Sequence, residues 1–271
     1  MSRNQSRTTG NVPEITNSPQ PEAAASPFNF VVPTEMIDIP SKGLYYPPTH
    51  PLHNVDTIEI RHMTAKEEDI LTSPTLLKKG IALDKMLQSI VVDTNIKIGD
   101  LLIGDKNALL IASRVYGYGP NYDVELACPM CKASFKTSFD LRELEIKEID
   151  IPEIVNKTEN NTFSIVLPQS NITIEFRLLT SRDELTMSSN KNSGTLALLK
   201  LITISVNGQV DKFYIERALQ SLPIVDVSVL KKTYGTVMPD IDMTQLVECT
   251  ECTETTEMGV PLDAGFFWPN I

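Results

Sequence analysis

Apolar positions along this chain alternate between a period of two and a period near 3.6, and each switch marks an element. Residues 1–30 show neither period. They are rich in Ser, Thr, Asn, Pro and Ala around PEITNSPQPEAAASP, too little apolar surface to offset the entropy of ordering, and are expected to be a disordered tail. Residues 31–56 read as an extended arm, because Pro33, Pro40, Pro47, Pro48 and Pro51 block any helix. A strand over 57–63 then leads to a helix capped by Thr64 and starting KEEDILTS, with Glu67, Glu68 and Asp69 near its positive end. Leu77, Ile81, Leu83, Leu87 and Ile90 predict one helix over 76–91, and another is expected over 106–116, ended by Gly117 and Gly119.

Residues 141–171 read as a connector, first alternating acids and aliphatics (LRELEIKEIDIPEIV) and then forming a strand over 162–167. A strand over 172–179 follows, then a helix capped by Thr180 and helices over 195–205, 212–221 and 225–234, the last within reach of an Asp226 cap. The chain closes on Gly265-Phe266-Phe267-Trp268-Pro269, which holds the single Trp. A core anchor is the plainer reading of that end, and a partner contact through Trp268 the alternative.

The two halves of this order match. IEIRHMTAKEEDIL at 58–71 parallels IEFRLLTSRDELTM at 174–187, with Ile, Glu, Arg and Thr at matching places. Downstream, Val115-Tyr116-Gly117 leads to one Cys-x-x-Cys pair and Thr233-Tyr234-Gly235 to another. The pattern predicts an α+β fold built from an internally duplicated strand-helix-knuckle unit, with repeat 1 at 57–140 and repeat 2 at 172–271; the alternative is a chance match over 14 residues.

The cysteines carry the strongest chemical signal. Cys128 and Cys131 in LACPMCKAS, and Cys249 and Cys252 in VECTECTET, are the only four in the chain. Two residues between cysteines let one tight turn aim both sulfurs at a single ion, and two such pairs supply the four thiolates of a structural zinc site. Strand-like runs flank each pair, as in a zinc-ribbon knuckle. About 117 residues separate the inner cysteines where a compact ribbon has about 15 to 20, so the ribbon would be split, one knuckle from each repeat. Metal binding would then be coupled to docking of the halves. Three alternatives compete: a thiol redox centre at CPMC, which needs a helix after the pair to lower a thiol pKa; two disulfides, which need an oxidising compartment for which MSRNQSRTTG provides no secretory signal; and free buried thiols.

Charge narrows the partners. With 24 basic against 35 acidic residues the net charge is −11, which argues against nucleic acid as the main partner, since phosphate binding draws on clustered Lys and Arg. No stretch approaches the roughly 20 apolar residues of a membrane span. His50, His53 and His62 lie close in sequence without a ligand motif, and no phosphate loop, nucleophile elbow or His-Glu-x-x-His helix occurs. The acid runs Glu67-Glu68-Asp69 and 143–150 read as solvated faces rather than catalytic pairs. Four thiolates would leave zinc no open position for water, so no enzyme activity and no small-molecule substrate are expected.

Several stretches together resemble one family, the T4-like bacteriophage baseplate hub subunits and hub-assembly proteins: IPSKGLYYP at 39–47, IEIRHMTAKEEDILTS at 58–73, LLKKGIALDKML, LLIGDKNALLIASRVYGYG at 101–119, and CPMC. The resemblance covers roughly 35–140 and reaches the second half through the duplication. It implies a non-catalytic viral protein of the contractile tail, assembled in the host cytoplasm, that works by contact with other hub proteins. The matching positions are Ser41, Lys42, Gly43 and Tyr46 in the arm and Arg61, Thr64, Glu67 and Glu68 in the strand-helix signature. Lys42, Tyr46 and Trp268 are the candidate partner contacts. Structural zinc on Cys128, Cys131, Cys249 and Cys252 rests on the residues alone. A nucleic-acid-binding zinc ribbon and a thiol oxidoreductase are the competing functions.

Overall fold

The structure is a computed structural model that describes residues 31–149, 151–158, 160–189, 194–262 and 266–267. The expected tail at 1–30 and Trp268 lie outside these. In chain order the elements are β1 (Thr34–Asp38), β2 (Thr57–Arg61), α1 (Ala65–Thr72), α2 (Pro74–Lys78), α3 (Ala82–Ile90), α4 (Ile103–Tyr118), β3 (Asn121–Ala127) and β4 (Ser134–Asp140). The second half contributes β5 (Val155–Lys157), β6 (Phe163–Val166), β7 (Thr173–Phe176), α5 (Ser181–Ser189), α6 (Thr195–Ile202), β8 (Thr203–Val206), α7 (Lys212–Gln220), α8 (Ile224–Val237), β9 (Thr244–Glu248) and β10 (Thr255–Gly259). The fold is α+β, and all its named sheet pairings are antiparallel: a four-stranded sheet in the order β5-β6-β7-β8, and three two-stranded ladders, β1-β2, β3-β4 and β9-β10.

The period-two pattern sets which side of each strand is buried. Ile58 and Ile60 of β2, and Ile174 and Phe176 of β7, are at most 1% exposed, while the residues between them are half-buried. Leu71 of α1 and Met86, Leu87 and Ile90 of α3 belong to the same buried core, which Phe163, Ile165, Ile202, Leu230 and Val237 continue in the second half. Each such side chain contributes about 1.5 to 3 kcal/mol when fully removed from water.

The strand-helix signature has a shared geometry in both halves. Arg61 at the end of β2 makes a two-pronged contact with Glu67, Nη2 to Oε1 at 2.6 Å and Nη1 to Oε2 at 3.1 Å, and the N–H and hydroxyl of Thr64 donate to Oε2. In the second half Arg177 grips Asp183 at 2.7 and 2.9 Å, and the N–H and hydroxyl of Thr180 donate to the same carboxylate. Each acid therefore locks the helix start to the strand before it.

Glu67 is fully buried, not on a solvated face as its run of acids suggests. Its oxygens are taken by Arg61, Thr64 and the Ser89 hydroxyl at 2.6 Å, so the carboxylate does not need water. Burial acts against its charge, but the bonds from Arg61, Ser89 and Thr64 prevail and hold its pKa down at about 2, against an ordinary 4.5. A depressed carboxylate supports the fold fully above pH 4.5 and loses that support as pH falls toward about 2. Urea unfolding across that window should show stability falling with pH, and Glu67→Gln should flatten that slope and lower stability at neutral pH.

Other boundaries differ from the periodic reading. The expected helix over 76–91 is broken into α2 and α3, because Gly80 adopts φ +68° and its N–H closes the turn onto Leu77 O. The expected helix over 195–205 ends at Ile202, after which β-branched Thr203 and Ile204 begin β8, whose Thr203, Ser205 and Val206 pair with β7. Asp226 does not cap α8. It sits in the helix's first turn, fully buried, and accepts from the N–H groups of Gln169 and Ser170, both at 2.9 Å.

Asp226 has a counterpart in Asp105, near the start of α4, which is equally buried and accepts from the N–H of Ser41 at 2.9 Å, its hydroxyl at 2.6 Å, and the Tyr46 hydroxyl at 2.7 Å. Both acids stand 23 residues before the first cysteine of their half. The Tyr-Gly landmarks do not share this register: Tyr116 is 42% exposed, whereas Tyr234 is buried and accepts from Leu179 N–H. The tyrosine with the matching task is Tyr46, which accepts from Leu102 N–H. Leu101–Ile103 and Leu179–Ser181 meet as a short antiparallel bridge, Ser181 N–H to Leu101 O at 2.8 Å, and Lys106 lies between Asp84 and Glu184 at 2.7 and 2.9 Å.

Candidate metal centre

The cysteines sit at the tips of two hairpins that repeat one another bond for bond. In the first, Ala127 pairs with Ser134, Cys128 N–H donates to Ala133 O at 2.9 Å, and Lys132 N–H donates to Cys128 O at 3.0 Å. In the second, Glu248 pairs with Thr255, Cys249 N–H donates to Glu254 O at 3.0 Å, and Thr253 N–H donates to Cys249 O at 2.9 Å. Lys132 and Thr253, one residue past the second cysteine of each pair, both take positive φ, +63° and +58°. A β-branched residue pays for that conformation with strain, and here the turn that turns both sulfurs inward requires it.

Arg114 of α4 anchors the first hairpin. It is buried, and its guanidinium donates to the carbonyls of Phe266 at 2.8 Å, Gly119 at 2.6 Å and Asn121 at 3.0 Å. At the other end of α4, Gly104 lies so close to the 239–240 backbone that an added Cβ would meet Pro239 O at 2.0 Å, and Asn107 reaches Asp240 at 3.1 Å. One helix therefore holds both the lead into β3 and the lead into β9. Further bonds lace the hairpins: Gln245 to Asp140 O at 2.8 Å, and main-chain bonds from Lys147 to Asp240 and from Asp242 to Glu145.

The result is a cluster of four sulfurs within 4.8 Å of one another. The hairpins meet crosswise, Cys128 Sγ to Cys252 Sγ at 3.8 Å and Cys131 Sγ to Cys249 Sγ at 3.8 Å. A zinc–sulfur bond of about 2.3 Å in a tetrahedron requires sulfurs about 3.8 Å apart. Donor type, number and spacing thus fit one tetrahedral ion, and a set of thiolates alone suits zinc or iron. All four are free thiols, Cys128 and Cys249 buried, Cys252 half-buried and Cys131 exposed. The cluster also polarises its own members. The amide of Cys131, with that of Met130, draws the Cys128 thiol down to about 7. At Cys252 the amide of Glu254 favours the thiolate, but burial and the three neighbouring thiols override it and push the pKa up to about 12. The charged form of Cys252 is thus resisted, a resistance that a bound dication would remove.

β4, not a helix, follows Cys131, so the first pair lacks the helix dipole that a thiol redox centre uses. The histidines do not converge: His50 stacks on Tyr46 at 4.3 Å, His53 Nδ1 lies 2.8 Å from Tyr46 O, and His62 Nε2 lies 3.2 Å from Glu35. Among the described residues the four cysteines are the one metal-capable group of three or more His, Cys, Asp or Glu side chains.

Of the expected partner contacts, Lys42 is exposed, in a left-handed conformation at φ +48°. Tyr46 is 2% exposed and its hydroxyl is committed to Asp105 and Leu102, so it serves the interior and offers a partner no surface. Trp268 lies outside the described residues, while its neighbours Phe266 and Phe267 are buried, as a core anchor would be. The residues that sequence reasoning missed are Asp105, Arg114 and Gly104, while Asp226 is expected as a cap and instead holds Gln169 and Ser170. All three lie within the stretch LLIGDKNALLIASRVYGYG, and for Asp105 and Arg114 a charged residue among the apolar positions of a helix is the available signal.

No helix among the described residues is long and apolar enough to cross a membrane. A search of curated proteins and a search of solved structures each return no match. A family model described as T4 bacteriophage base plate protein matches residues 36–267, from β1 through both knuckles to Phe267. With most of its length matched, including the arm, both strand-helix clamps and both cysteine hairpins, this chain belongs to the T4 bacteriophage base plate protein family.

Proposed function

We propose that the chain is a non-catalytic protein of the baseplate hub, either part of it or a helper in its assembly, whose two halves are clamped by one structural zinc on Cys128, Cys131, Cys249 and Cys252. The observation that carries this reading is the sulfur cluster itself, drawn from hairpins 118 to 124 residues apart and spaced for a tetrahedral ion. With four thiolates no position is left for substrate or water, so the metal stiffens rather than reacts. In this reading the two knuckles form a split zinc ribbon, and the halves are copies of one unit. The copies are better drawn from β1 and from β6 than from 57 and 172, since Ile39-Pro40-Ser41 and Leu167-Pro168-Gln169 both lead from a strand to the main-chain donors that hold Asp105 and Asp226.

Its partners in this reading are other baseplate proteins, met through surface contacts, with no nucleic acid, membrane or small-molecule substrate involved. The acidic balance of −11 supports the first of these exclusions. Cross-linking mass spectrometry on lysates of infected cells tests the placement: cross-links to the central hub proteins are expected, and cross-links confined to peripheral baseplate proteins would overturn it.

A further inference from the structure

Each cysteine hairpin offers one thiol to solvent and keeps one inside: Cys131 is exposed and Cys252 half-buried, whereas Cys128 and Cys249 are each 1% exposed. The couples that stand in hydrogen-bonding orientation join the outer sulfur of one hairpin to the inner sulfur of the other, Cys131 to Cys249 and Cys252 to Cys128, both at 3.8 Å. Solvent access decides which thiol an oxidant reaches, and a second thiol in contact decides whether the product is trapped as a disulfide. Here the two features fall on opposite members of each couple. A disulfide bond of about 2.05 Å then needs each sulfur to move only about 0.9 Å. Side-chain rotation supplies that, leaving in place the turn bonds from Cys128 N–H to Ala133 O and from Cys249 N–H to Glu254 O.

We propose that the cluster is an oxidative modification site, at which a peroxide converts the four thiols into two disulfides that cross between the hairpins, Cys131–Cys249 and Cys128–Cys252. It rests on the zinc clamp only in taking zinc as the ion expelled. The sulfur of the outer cysteine attacks one peroxide oxygen; the O–O bond breaks, a water leaves, and a sulfenic acid remains. The inner sulfur of the facing hairpin then attacks the sulfenic sulfur, the S–O bond breaks, and the oxygen leaves as a second water. Each couple gives up two electrons to one peroxide. Two peroxides thus become four waters, with four protons taken up and one zinc ion released where the sulfurs start as thiolates on the metal. Zinc slows the first step, because its bonds occupy the attacking sulfur, so the metal-free chain should oxidise faster. The crossed links close loops of 118 and 124 residues and keep the halves tied after the metal has gone, which links within each turn could not do. Host cytoplasm keeps thiols reduced and the surroundings of a virion do not, so a baseplate chain that stays in the particle meets both conditions and is clamped in each.

Titration of the full chain with hydrogen peroxide tests this. At two equivalents a colorimetric chelator should read one zinc released per chain, and no thiol should remain open to alkylation. Cleavage after Glu251 separates the two cysteines of the second turn, so tandem mass spectrometry of the unreduced peptides distinguishes the pairings. Crossed links are expected from the folded chain, and links within each turn from the same chain in urea, where short loops close far more readily than long ones. The oxidised chain should melt above the reduced, metal-free chain. Cys131→Ser should still form the Cys128–Cys252 link and leave Cys249 open to alkylation. Links within the turns of the folded wild-type chain overturn the proposal, as does sulfinic acid at Cys131 in place of a link. A chain that holds no metal ends the zinc clamp but not this test, because the metal-free folded chain should give the same crossed links, and links within its turns overturn the proposal equally.

Discussion

Cys128→Ser and Cys249→Ser are each expected to abolish stoichiometric zinc and to lower the melting temperature by similar amounts. The reason is the crosswise arrangement of the sulfurs: in the proposed clamp each hairpin would supply half of one coordination shell, so losing a ligand from either would leave the same incomplete site. Structural zinc contributes folding free energy directly, and a loss of about 4 kcal/mol or more corresponds to a drop of about 8 °C or more for a chain of this size. Elemental analysis with calorimetry reads both effects. If the two mutants both keep one zinc per chain, or if only one of them loses stability, the shared site is wrong. Alkylation gives an independent reading. The exposed Cys131 should react as slowly as the buried Cys128 until a chelator is added, since a metal-bound thiolate is protected whatever its exposure. Iron in place of zinc would leave the clamp intact and change only its identity.

Gly43→Ala should be, beside Gly104→Ala, one of the two most damaging single-methyl changes outside the cysteine cluster. Gly43 has φ +70°, and a Cβ there would stand 2.4 Å from Leu52 O and Val55 N and 2.5 Å from Val55 O. These are backbone atoms in a bonded turn, Asn54 N–H to Gly43 O at 3.1 Å and Val55 N–H to Leu52 O at 3.2 Å, so they cannot yield without breaking it. The same turn sets Ser41 and Tyr46 on Asp105, and its displacement would strip donors from a buried acid. A loss of roughly 4 kcal/mol or more is expected. Gly208→Ala is the control: φ there is +77° but nothing lies within 4 Å, so only the conformational cost of about 1 to 2 kcal/mol remains. Urea unfolding should rank the two in that order, and equal losses would show that strain rather than collision decides.

Local signals were legible in the sequence wherever one segment sufficed to define an element. Thr64 and Thr180 start their helices as expected, strands flank both cysteine pairs as expected, and α+β is the observed class. Errors arose where an element's length depended on a partner. Nothing in the apolar period of 195–205 reveals that β7 is waiting to take Thr203 into a sheet, and nothing in the run Glu67-Glu68-Asp69 reveals that only the first acid meets Arg61 and Ser89. Tyr46 differs from its expected role for the same reason. A tyrosine in a Pro-rich arm looks available to a partner until Asp105, 59 residues away, is seen to hold its hydroxyl.

By itself the sequence determined the donor set, four cysteines in two matched turns, because ligand type and turn spacing are local properties. It also determined the strand-helix signature that occurs in both halves. Only the tertiary structure decided that the two turns face each other with sulfurs 3.8 Å apart, and that Asp105 and Asp226 both accept main-chain donors from the segment after a strand. Those facts depend on where α4 and α8 pack, and packing follows from surfaces complementary across a hundred residues, which no local period encodes.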